Sequence, residues 1–191
     1  MISGILLAAG AGVRFGGRKL LQRLPDGTPI GVASLRTLQA ALVRSVAVVR
    51  AGDTELRKLL SAEGVPVIEC ADAVLGMGHS LAAGVAHESG SSGWVVALGD
   101  MPCIHPGTIT KVALELERGA GIVVPIFAGR RGHPVGFSSA FREQLVGLRG
   151  DAGARGLLSA HPTSIRQLEV DDPGILQDVD IPEDVQRLTQ P

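Results

Sequence analysis

The residues best suited to chemistry stand near the N-terminus, in a loop rich in glycine and alanine. The apolar run Ile2–Leu7 leads into Ala8-Ala9-Gly10-Ala11-Gly12-Val13-Arg14-Phe15-Gly16-Gly17-Arg18-Lys19. Small side chains let backbone N–H groups approach an anion, and glycine adopts the positive φ angles that such a loop needs. Arg14, Arg18 and Lys19 add positive charge. The pattern predicts a strand followed by a loop that binds a polyphosphate.

This loop differs from two better-known glycine-rich loops. It lacks the Gly-Lys-Ser/Thr of a P-loop. Gly10, Gly12 and Gly16 are spaced one residue too long for a dinucleotide fingerprint. Arg50 and Ala51 stand at the end of the next predicted strand, where that fingerprint has an acidic residue. A flexible turn without a ligand is the alternative interpretation.

Composition limits the classes of protein to which the chain can belong. Its 191 residues suit a single domain, 1–191, and 45% hydrophobic against 19% charged residues is typical of a globular protein. A net charge of −1 and only 3% aromatic residues argue against nucleic-acid binding. Cys70 and Cys103 have no metal-ligand spacing, so we expect buried thiols. With no signal sequence or membrane-length apolar run, we expect a soluble cytoplasmic protein that does not bind membranes.

Apolar β-branched runs alternate with helix-like stretches along the chain. The predicted strands are Ile2–Leu7, Ser45–Arg50, Pro66–Glu69, Trp94–Leu98, Gly121–Pro125 and Ser164–Val170. The predicted helices are Ser34–Leu42, Thr54–Leu60, Ser80–His87, Pro106–Arg118, Phe141–Leu148, Ala154–Ala160 and Pro182–Leu188. The segment Phe127–Phe137 has the pattern of a hairpin or an irregular excursion. This order predicts an α/β fold, with a Rossmann-like, mostly parallel sheet and helices on both faces.

Ligands of such sheets bind beyond the carboxyl ends of the strands. The glycine-rich loop follows the first predicted strand, Gly76–Ser80 follows the third, and Asp100 follows the fourth. We therefore expect these three segments at one edge of the sheet. A carboxylate at a strand end suits Mg²⁺, which binds one or two carboxylates together with phosphate oxygens and water. The alternative role for Asp100 is to cap the turn before Pro102.

Two interpretations fit the segment Gly76–Ser80. Its glycines would let backbone groups reach the edge of a base, while Ser80 contacts the base or the ribose. Alternatively, Ser80 is the N-cap of the helix that follows. The two are compatible.

Six segments in order resemble those of nucleotidyltransferases related to molybdenum cofactor biosynthesis. They are Leu7–Gly16 with Lys19, Gly76–Gly84, Leu98–Pro102, Arg131–Phe137, Gly150–Arg155 and Asp178–Asp184. The whole set most closely resembles the molybdenum cofactor cytidylyltransferases. Ala9 resembles the cytidylyl type, whereas guanylyl relatives tend to have glycine there. A Cβ at that position would narrow the space beside a purine.

The resemblance implies a fold of the nucleotide-diphospho-sugar-transferase type and a reaction. CMP would pass from CTP to the terminal phosphate of molybdenum-bearing molybdopterin, giving a cytosine dinucleotide and pyrophosphate. The implied cofactor is Mg²⁺, and a molybdenum hydroxylase is a candidate recipient of the product.

The resemblance also assigns roles to individual residues. Arg14 and Lys19 are the catalytic cations, which neutralise phosphate charge. The nucleotide-binding set is Leu7, Ala8, Ala9, Gly10, Ala11, Gly12, Lys19, Gly78 and Ser80. The acceptor-binding set is His133, Asp151 and Arg155, although a packed structural role fits His133 equally well. The metal ligands are Asp100 and Asp180. Ile181 departs from the family, which usually has a helix-capping Thr there, so the geometry around Asp180 is less well defined by the resemblance.

Three alternatives stay open at this stage. The first is a transferase of the same fold that uses GTP or a sugar or polyol phosphate acceptor. The second is a non-catalytic chaperone of the molybdenum cofactor, which predicts a broken catalytic set. The third is a nicotinamide-dependent oxidoreductase, which rests on the glycine-rich loop alone.

Overall fold

Strand β1 (Ile2–Ala8) lies at the centre of the fold, and all seven of its residues are buried. Leu6 and Ala8 belong to the hydrophobic core on one face of the sheet, whereas Ile5 and Leu7 belong to the core on the other face. The sequence of a strand that is buried on both faces is continuously apolar, whereas a strand with one exposed face alternates between apolar and polar residues. This is the pattern from which the α/β fold is predicted.

The computed structural model describes residues 1–10, 18–180 and 184. The other strands are β2 (Ser45–Arg50), β3 (Val67–Cys70), β4 (Gly93–Leu98), β5 (Ile122–Phe127), β6 (Arg130–Arg131), β7 (Val135–Ser138) and β8 (Ile165–Glu169). The helices are α1 (Ile30–Ala41), α2 (Thr54–Ala62), α3 (Met77–His87), α4 (Pro106–Glu117), α5 (Arg142–Val146) and α6 (Arg155–Ala160). Short 3₁₀ turns cover Lys19–Leu21, Ala71–Leu75, Ser139–Phe141, Pro162–Ser164 and Pro173–Leu176. Of the predicted helix Pro182–Leu188, only Asp184 is among the described residues.

The strands form one sheet in the order β3-β2-β1-β4-β7-β5-β6, with β8 paired to β5. The pairs β1–β2, β1–β4, β2–β3 and β5–β8 are parallel, whereas β6 and β7 pair antiparallel to their neighbours. Helices α1, α2 and α4 contribute to one core, and α3, α5 and α6 to the other. The predicted mostly parallel α/β sheet with helices on both faces is confirmed. Among the described residues, no helix is long and apolar enough to cross a bilayer.

Element ends differ from the prediction at two helices that matter for the site. Helix α1 begins at Ile30, four residues before the predicted start, directly after the extended residue Pro29. Helix α3 begins at Met77 rather than at Ser80, and its N-cap is Gly76. The prediction that Ser80 is the N-cap is therefore wrong. Ser80 lies in the first turn of α3 and is buried.

Two glycines allow close contact between the start of α3 and the loop before α6. A Cβ on Gly76 would overlap the carbonyl carbon of Gly150, and Gly76 also has a φ of 124°. A Cβ on Gly78 would lie 2.9 Å from the backbone of Arg149. The Gly78 amide donates to the carbonyl of Gly150 at 2.9 Å. Backbone packing therefore explains why these two positions are glycine.

Asp172 anchors the segment that follows β8 to the start of α4. Its carboxylate is buried and accepts hydrogen bonds from the His105 amide at 2.9 Å, the Thr108 hydroxyl at 2.6 Å and the Gly174 amide at 3.0 Å. Buried polar groups are costly when they lack partners, so each of these donors depends on this one side chain. The anchor positions the chain that leads to Asp180.

We predict that Asp172→Ala lowers the free energy of unfolding by about 3 kcal/mol, because two buried donors and one partly buried donor lose their acceptor. Chemical denaturation monitored by circular dichroism measures this change. Asp171→Ala removes the exposed neighbouring carboxylate. Its free energy of unfolding should stay within about 0.5 kcal/mol of the parent value. Equal losses in the two variants would contradict the anchoring role.

We predict that Gly76→Ala lowers the free energy of unfolding by more than about 2 kcal/mol, through a strained backbone and an overlap with Gly150. The matched control is Gly107→Ala in α4, where a Cβ meets open space and the added helix propensity should be neutral or stabilising. The midpoints of thermal unfolding compare the two variants. A Gly76→Ala protein as stable as its parent would show that the contact is not tight.

Candidate functional site

An ion cluster lies beyond the carboxyl ends of β1 and β4. The Lys19 ammonium donates to Asp100 Oδ2 at 2.7 Å and to Asp180 Oδ1 at 3.1 Å. The Lys19 side chain is only 12% exposed. Burial opposes its charge, but the hydrogen bonds and charges of Asp100 and Asp180 outweigh that penalty and raise the pKa of Lys19 above its usual range. Lys19 is therefore a fixed positive charge at neutral pH.

Hydrogen bonds to the backbone position the two carboxylates. The amide of Gly99 donates to the carbonyl of Leu7 at 2.9 Å, which aligns the ends of β4 and β1. The carbonyl of Gly99 accepts from the buried hydroxyl of Ser34 at 2.9 Å. The amide of Val179 donates to the carbonyl of Asp100 at 2.9 Å and so places Asp180 beside the cluster. The prediction that Asp100 and Asp180 share a site is consistent with this geometry.

A cavity of about 320 Å³, which we call the Lys19 cavity, opens beside this cluster. Five residues of the predicted nucleotide-binding set line it: Leu7, Ala9, Gly10, Lys19 and Ser80. The remaining walls are Leu20, Arg50, Ala73, Val74, Gly76, Met77, Leu98, Asp100 and Asp151. The cavity therefore joins the ends of β1, β2 and β4 to the start of α3.

The other predicted nucleotide-binding residues are placed differently. Ala8 lines a neighbouring cavity of about 430 Å³, the Arg18 cavity, which shares Gly10, Lys19, Leu20 and Arg50 with the Lys19 cavity. Gly78 lines neither, because the backbone of Arg149 packs against it. The remaining predicted site residues, Ala11, Gly12, Arg14 and Ile181, lie outside the described residues.

A further cavity of about 280 Å³, the His133 cavity, contains all three predicted acceptor-binding residues, His133, Asp151 and Arg155. Its other walls are mainly apolar and include Leu81, Val96, Val124, Val135, Phe137 and Leu158. The His133 amide donates to the carbonyl of Ile175 at 3.0 Å. The arrangement is typical of a pocket for a flat apolar group with a few polar contacts.

The imidazole of His133 is uncharged at neutral pH. Burial lowers the pKa of His133 below its usual range, opposed by the negative charge of Asp100 and reinforced by the positive charge of Arg155. Its Nδ1 atom is buried and has no hydrogen-bond partner among the described residues. Since buried polar atoms are normally paired, this nitrogen has an unused capacity for one hydrogen bond.

The Lys19 and His133 cavities are contiguous. Leu7, Met77, Leu98 and Asp151 line both of them. The ion cluster at Lys19 therefore lies in one cavity and the neutral imidazole of His133 in its neighbour. Two ligands bound in these cavities would meet at the shared walls.

Sequence reasoning missed two residues of this region. Arg50 lines both the Lys19 and the Arg18 cavities, and the rule about carboxyl ends of strands could have found it, since it ends β2. No local pattern in the sequence indicates that Asp172 is buried against the start of α4. Long-range burial of this kind depends on tertiary packing.

The residues present suit a divalent cation. Asp100 and Asp180 offer two carboxylates that contact the same nitrogen, and the cavity beside them has room for phosphate oxygens. No cluster of three or more His, Cys, Asp or Glu side chains with metal-binding geometry occurs in the described part of the chain. A hard cation bound jointly by two carboxylates and its substrate matches this donor set.

The chain is similar to known proteins along most of its length. The model of the MobA-like NTP transferase domain family matches residues 4–165. The chain is 35% identical to the purine catabolism protein PucB of Bacillus subtilis, over 95% of this chain and 92% of that protein. It is 29% identical to the nicotine blue oxidoreductase of Paenarthrobacter nicotinovorans, over 98% of this chain and 96% of that protein.

A solved structure shares the whole architecture. Rv0371c of Mycobacterium tuberculosis, in complex with manganese, superposes with a TM-score of 0.79 at 27% identity, over 98% of this chain and 97% of that one. The family model spans most of the chain, from β1 to the start of β8, and the predicted resemblance is confirmed at that level. The chain belongs to the MobA-like NTP transferase domain family, the nucleotidyltransferases.

Proposed function

We propose that this protein transfers CMP from CTP to the terminal phosphate of molybdenum-bearing molybdopterin. The observation that carries the proposal is the junction of the Lys19 and His133 cavities at four shared residues. A transferase must hold a donor and an acceptor side by side, with the reacting phosphorus between them. The Lys19 and Asp100 side chains lie on the donor side of that junction.

The reaction needs little covalent chemistry from the protein. An oxygen of the acceptor phosphate attacks the α-phosphorus of CTP, a new P–O bond forms, and the bond to the bridging oxygen breaks. The leaving group takes the electron pair of that bond and departs as pyrophosphate. Lys19 is a fixed cation that donates to an oxygen of the α-phosphate as its negative charge is redistributed. Arg14 stays a proposed second catalytic cation on the strength of its sequence position.

Asp100 and Asp180 are the proposed ligands of Mg²⁺. When bound, the cation would reduce the repulsion between the phosphates and the attacking anion. A related structure in this family is a manganese complex, which supports the use of a divalent cation. Lys19 keeps the two carboxylates together through its contacts at 2.7 and 3.1 Å.

The shape and polarity of the two cavities support the proposed base and acceptor. Ala9 and Ser80 line the Lys19 cavity, and the Cβ of Ala9 favours a pyrimidine there. The apolar walls of the His133 cavity suit a flat heterocycle, while Arg155 and the uncharged imidazole of His133 supply polar contacts. We retain the cytoplasm as the proposed location and a molybdenum hydroxylase as the proposed recipient of the product. Neither nucleic acid nor membrane takes part in the proposed reaction.

One alternative receives support from a relative. The chain is 29% identical to a protein named nicotine blue oxidoreductase, which keeps open an oxidoreductase that uses the same cavities. That function predicts oxidation of a reduced nicotinamide cofactor and no release of pyrophosphate. Measuring pyrophosphate release and cofactor oxidation in the same assay distinguishes the two reactions.

The proposal is tested by the release of pyrophosphate from CTP, GTP, ATP and UTP in the presence of Mg²⁺ and molybdenum-bearing molybdopterin. We expect release with CTP that requires the acceptor. Faster release with GTP would assign the protein to guanylyl transfer. Folded protein that releases no pyrophosphate from any nucleotide, and instead consumes NADH or NADPH, would contradict the proposal.

We predict that Lys19→Met lowers kcat for pyrophosphate release by about 10²–10³-fold, because one donor to the α-phosphate is lost. Asp100→Asn keeps the side-chain shape, removes the charge and should raise the Mg²⁺ concentration needed for half-maximal rate. Steady-state kinetics at several Mg²⁺ concentrations measure both effects. Asp171→Asn, which changes an exposed carboxylate outside the cavities, serves as the control and should match the parent.

We predict that Arg155→Met raises the KM for the pterin acceptor about 10-fold and leaves the KM for CTP within about two-fold, because a charge-assisted contact to the acceptor is lost. Arg142→Met in α5 is the control, since this exposed arginine lines neither of the joined cavities. A rise in the KM for CTP that equals the rise for the acceptor would contradict the assignment of the His133 cavity to the acceptor.

A further inference from the structure

Arg50 ends strand β2 and lines both the Lys19 and the Arg18 cavities. Its Nε atom is buried and has no hydrogen-bond partner among the described residues. A guanidinium presents five N–H donors and no acceptor, so a buried Nε without a partner is a donor without its acceptor. Buried polar groups are normally paired, so this donor requires an acceptor from outside the chain, such as a bound anion or an ordered water.

The other cations that line these two cavities are already paired. Lys19 contacts Asp100 and Asp180, and Arg18 forms an ion pair with Glu55. Asp53 also lines the Arg18 cavity, and its carboxylate caps α2 by accepting from the Leu56 amide at 3.2 Å. Within residues 1–10, 18–180 and 184, no carboxylate forms an ion pair with Arg50. Its charge is available for an anionic ligand.

The position of Arg50 indicates which part of a nucleotide it meets. Strand β2 lies on one side of β1, and β4, which leads to Asp100, lies on the other. Neighbouring strands are ~4.8 Å apart, so the end of β2 is about 10 Å from the end of β4. Arg50 shares the junction of its two cavities with Gly10 and Lys19, the described residues that flank the glycine-rich loop. Arg50 and Asp100 therefore stand on opposite sides of the end of β1.

We infer that Arg50 binds the β- and γ-phosphates of the nucleoside triphosphate, the part that leaves as pyrophosphate. This inference rests on the proposed nucleotidyl transfer. The planar guanidinium offers paired N–H donors that match two phosphate oxygens, and the buried Nε gains the acceptor that it lacks. As the bond between the α-phosphorus and the bridging oxygen breaks, Arg50 stabilises the charge that develops on the departing pyrophosphate.

Binding of CTP, CMP and inorganic pyrophosphate to the full-length protein, each measured by calorimetry with Mg²⁺, tests the inference. We expect Arg50→Met to weaken the affinity for CTP and for pyrophosphate by about 10–100-fold. The affinity for CMP should change by less than about two-fold. Arg50→Lys keeps the positive charge but lacks the paired N–H donors of the guanidinium, so we expect an intermediate loss of affinity. The control is Arg118→Met, because Arg118 lines neither cavity and pairs with Glu115 at the end of α4.

Thermal unfolding without ligand separates binding from folding. Arg50→Met should unfold at the parent temperature or slightly above it, because no hydrogen bond to Nε is lost and a buried polar group is removed. A lower unfolding temperature together with unchanged affinities would assign Arg50 to packing and overturn the inference. If the affinities for CMP and CTP weaken equally and the affinity for pyrophosphate is unchanged, the inference is also overturned. Arg50 would then be assigned to the base or the α-phosphate.

The proposed function fails in a different way. If the parent protein binds none of the four nucleoside triphosphates, the transferase itself is contradicted, and the assignment of Arg50 falls with it. If the parent releases pyrophosphate from CTP and Arg50→Met binds CTP and pyrophosphate as tightly as the parent, only the inference about Arg50 is overturned.

Discussion

The contact of one ammonium with two carboxylates is the constraint on which the site depends. Lys19 lies 81 residues from Asp100 and 161 from Asp180, yet its nitrogen contacts both. Partly buried charges are costly unless they are paired, so the three groups have to be held together. The parallel alignment of β1 with β4 positions Asp100, and the 3₁₀ turn Lys19–Leu21 carries the ammonium. The C-terminal segment that includes Val179 supplies the third.

That segment is seated by backbone contacts that only small residues permit. A Cβ on Gly174 would overlap the carbonyl of Cys103, and a Cβ on Gly132 would overlap the carbonyl of Ile175. Asp172 anchors one end of the segment, and the bond from Val179 to Asp100 holds the other. Because the carbonyl of Ile175 also accepts from the amide of His133, the same segment positions both cavities. One stretch of backbone thus positions residues of both the Lys19 and the His133 cavities.

Local patterns predict the fold better than they predict the site. The buried run Ile2–Leu7 and the alternation that follows it indicate the parallel sheet, and Asp100 follows from the rule about strand ends. The role of Gly78 could not be predicted, because a glycine needed for the backbone of Arg149 looks the same in sequence as one needed for a ligand. The N-cap predicted at Ser80 fails for a similar reason, since tertiary contacts at Gly76 set the start of α3. The resemblance to a family, rather than spacing, predicts His133, Asp151 and Arg155, which the structure brings into one cavity.

The central claim is that the Lys19 cluster is a metal–nucleotide site whose neighbour holds the acceptor. A crystal structure with Mn²⁺ and a CTP analogue that cannot release pyrophosphate tests it most directly, because Mn²⁺ is located by its anomalous scattering. We expect the metal between Asp100, Asp180 and an α-phosphate oxygen, with the cytosine in the Lys19 cavity and the His133 cavity left open to the acceptor. A nucleotide bound elsewhere, or a metal that contacts neither carboxylate, would contradict the claim.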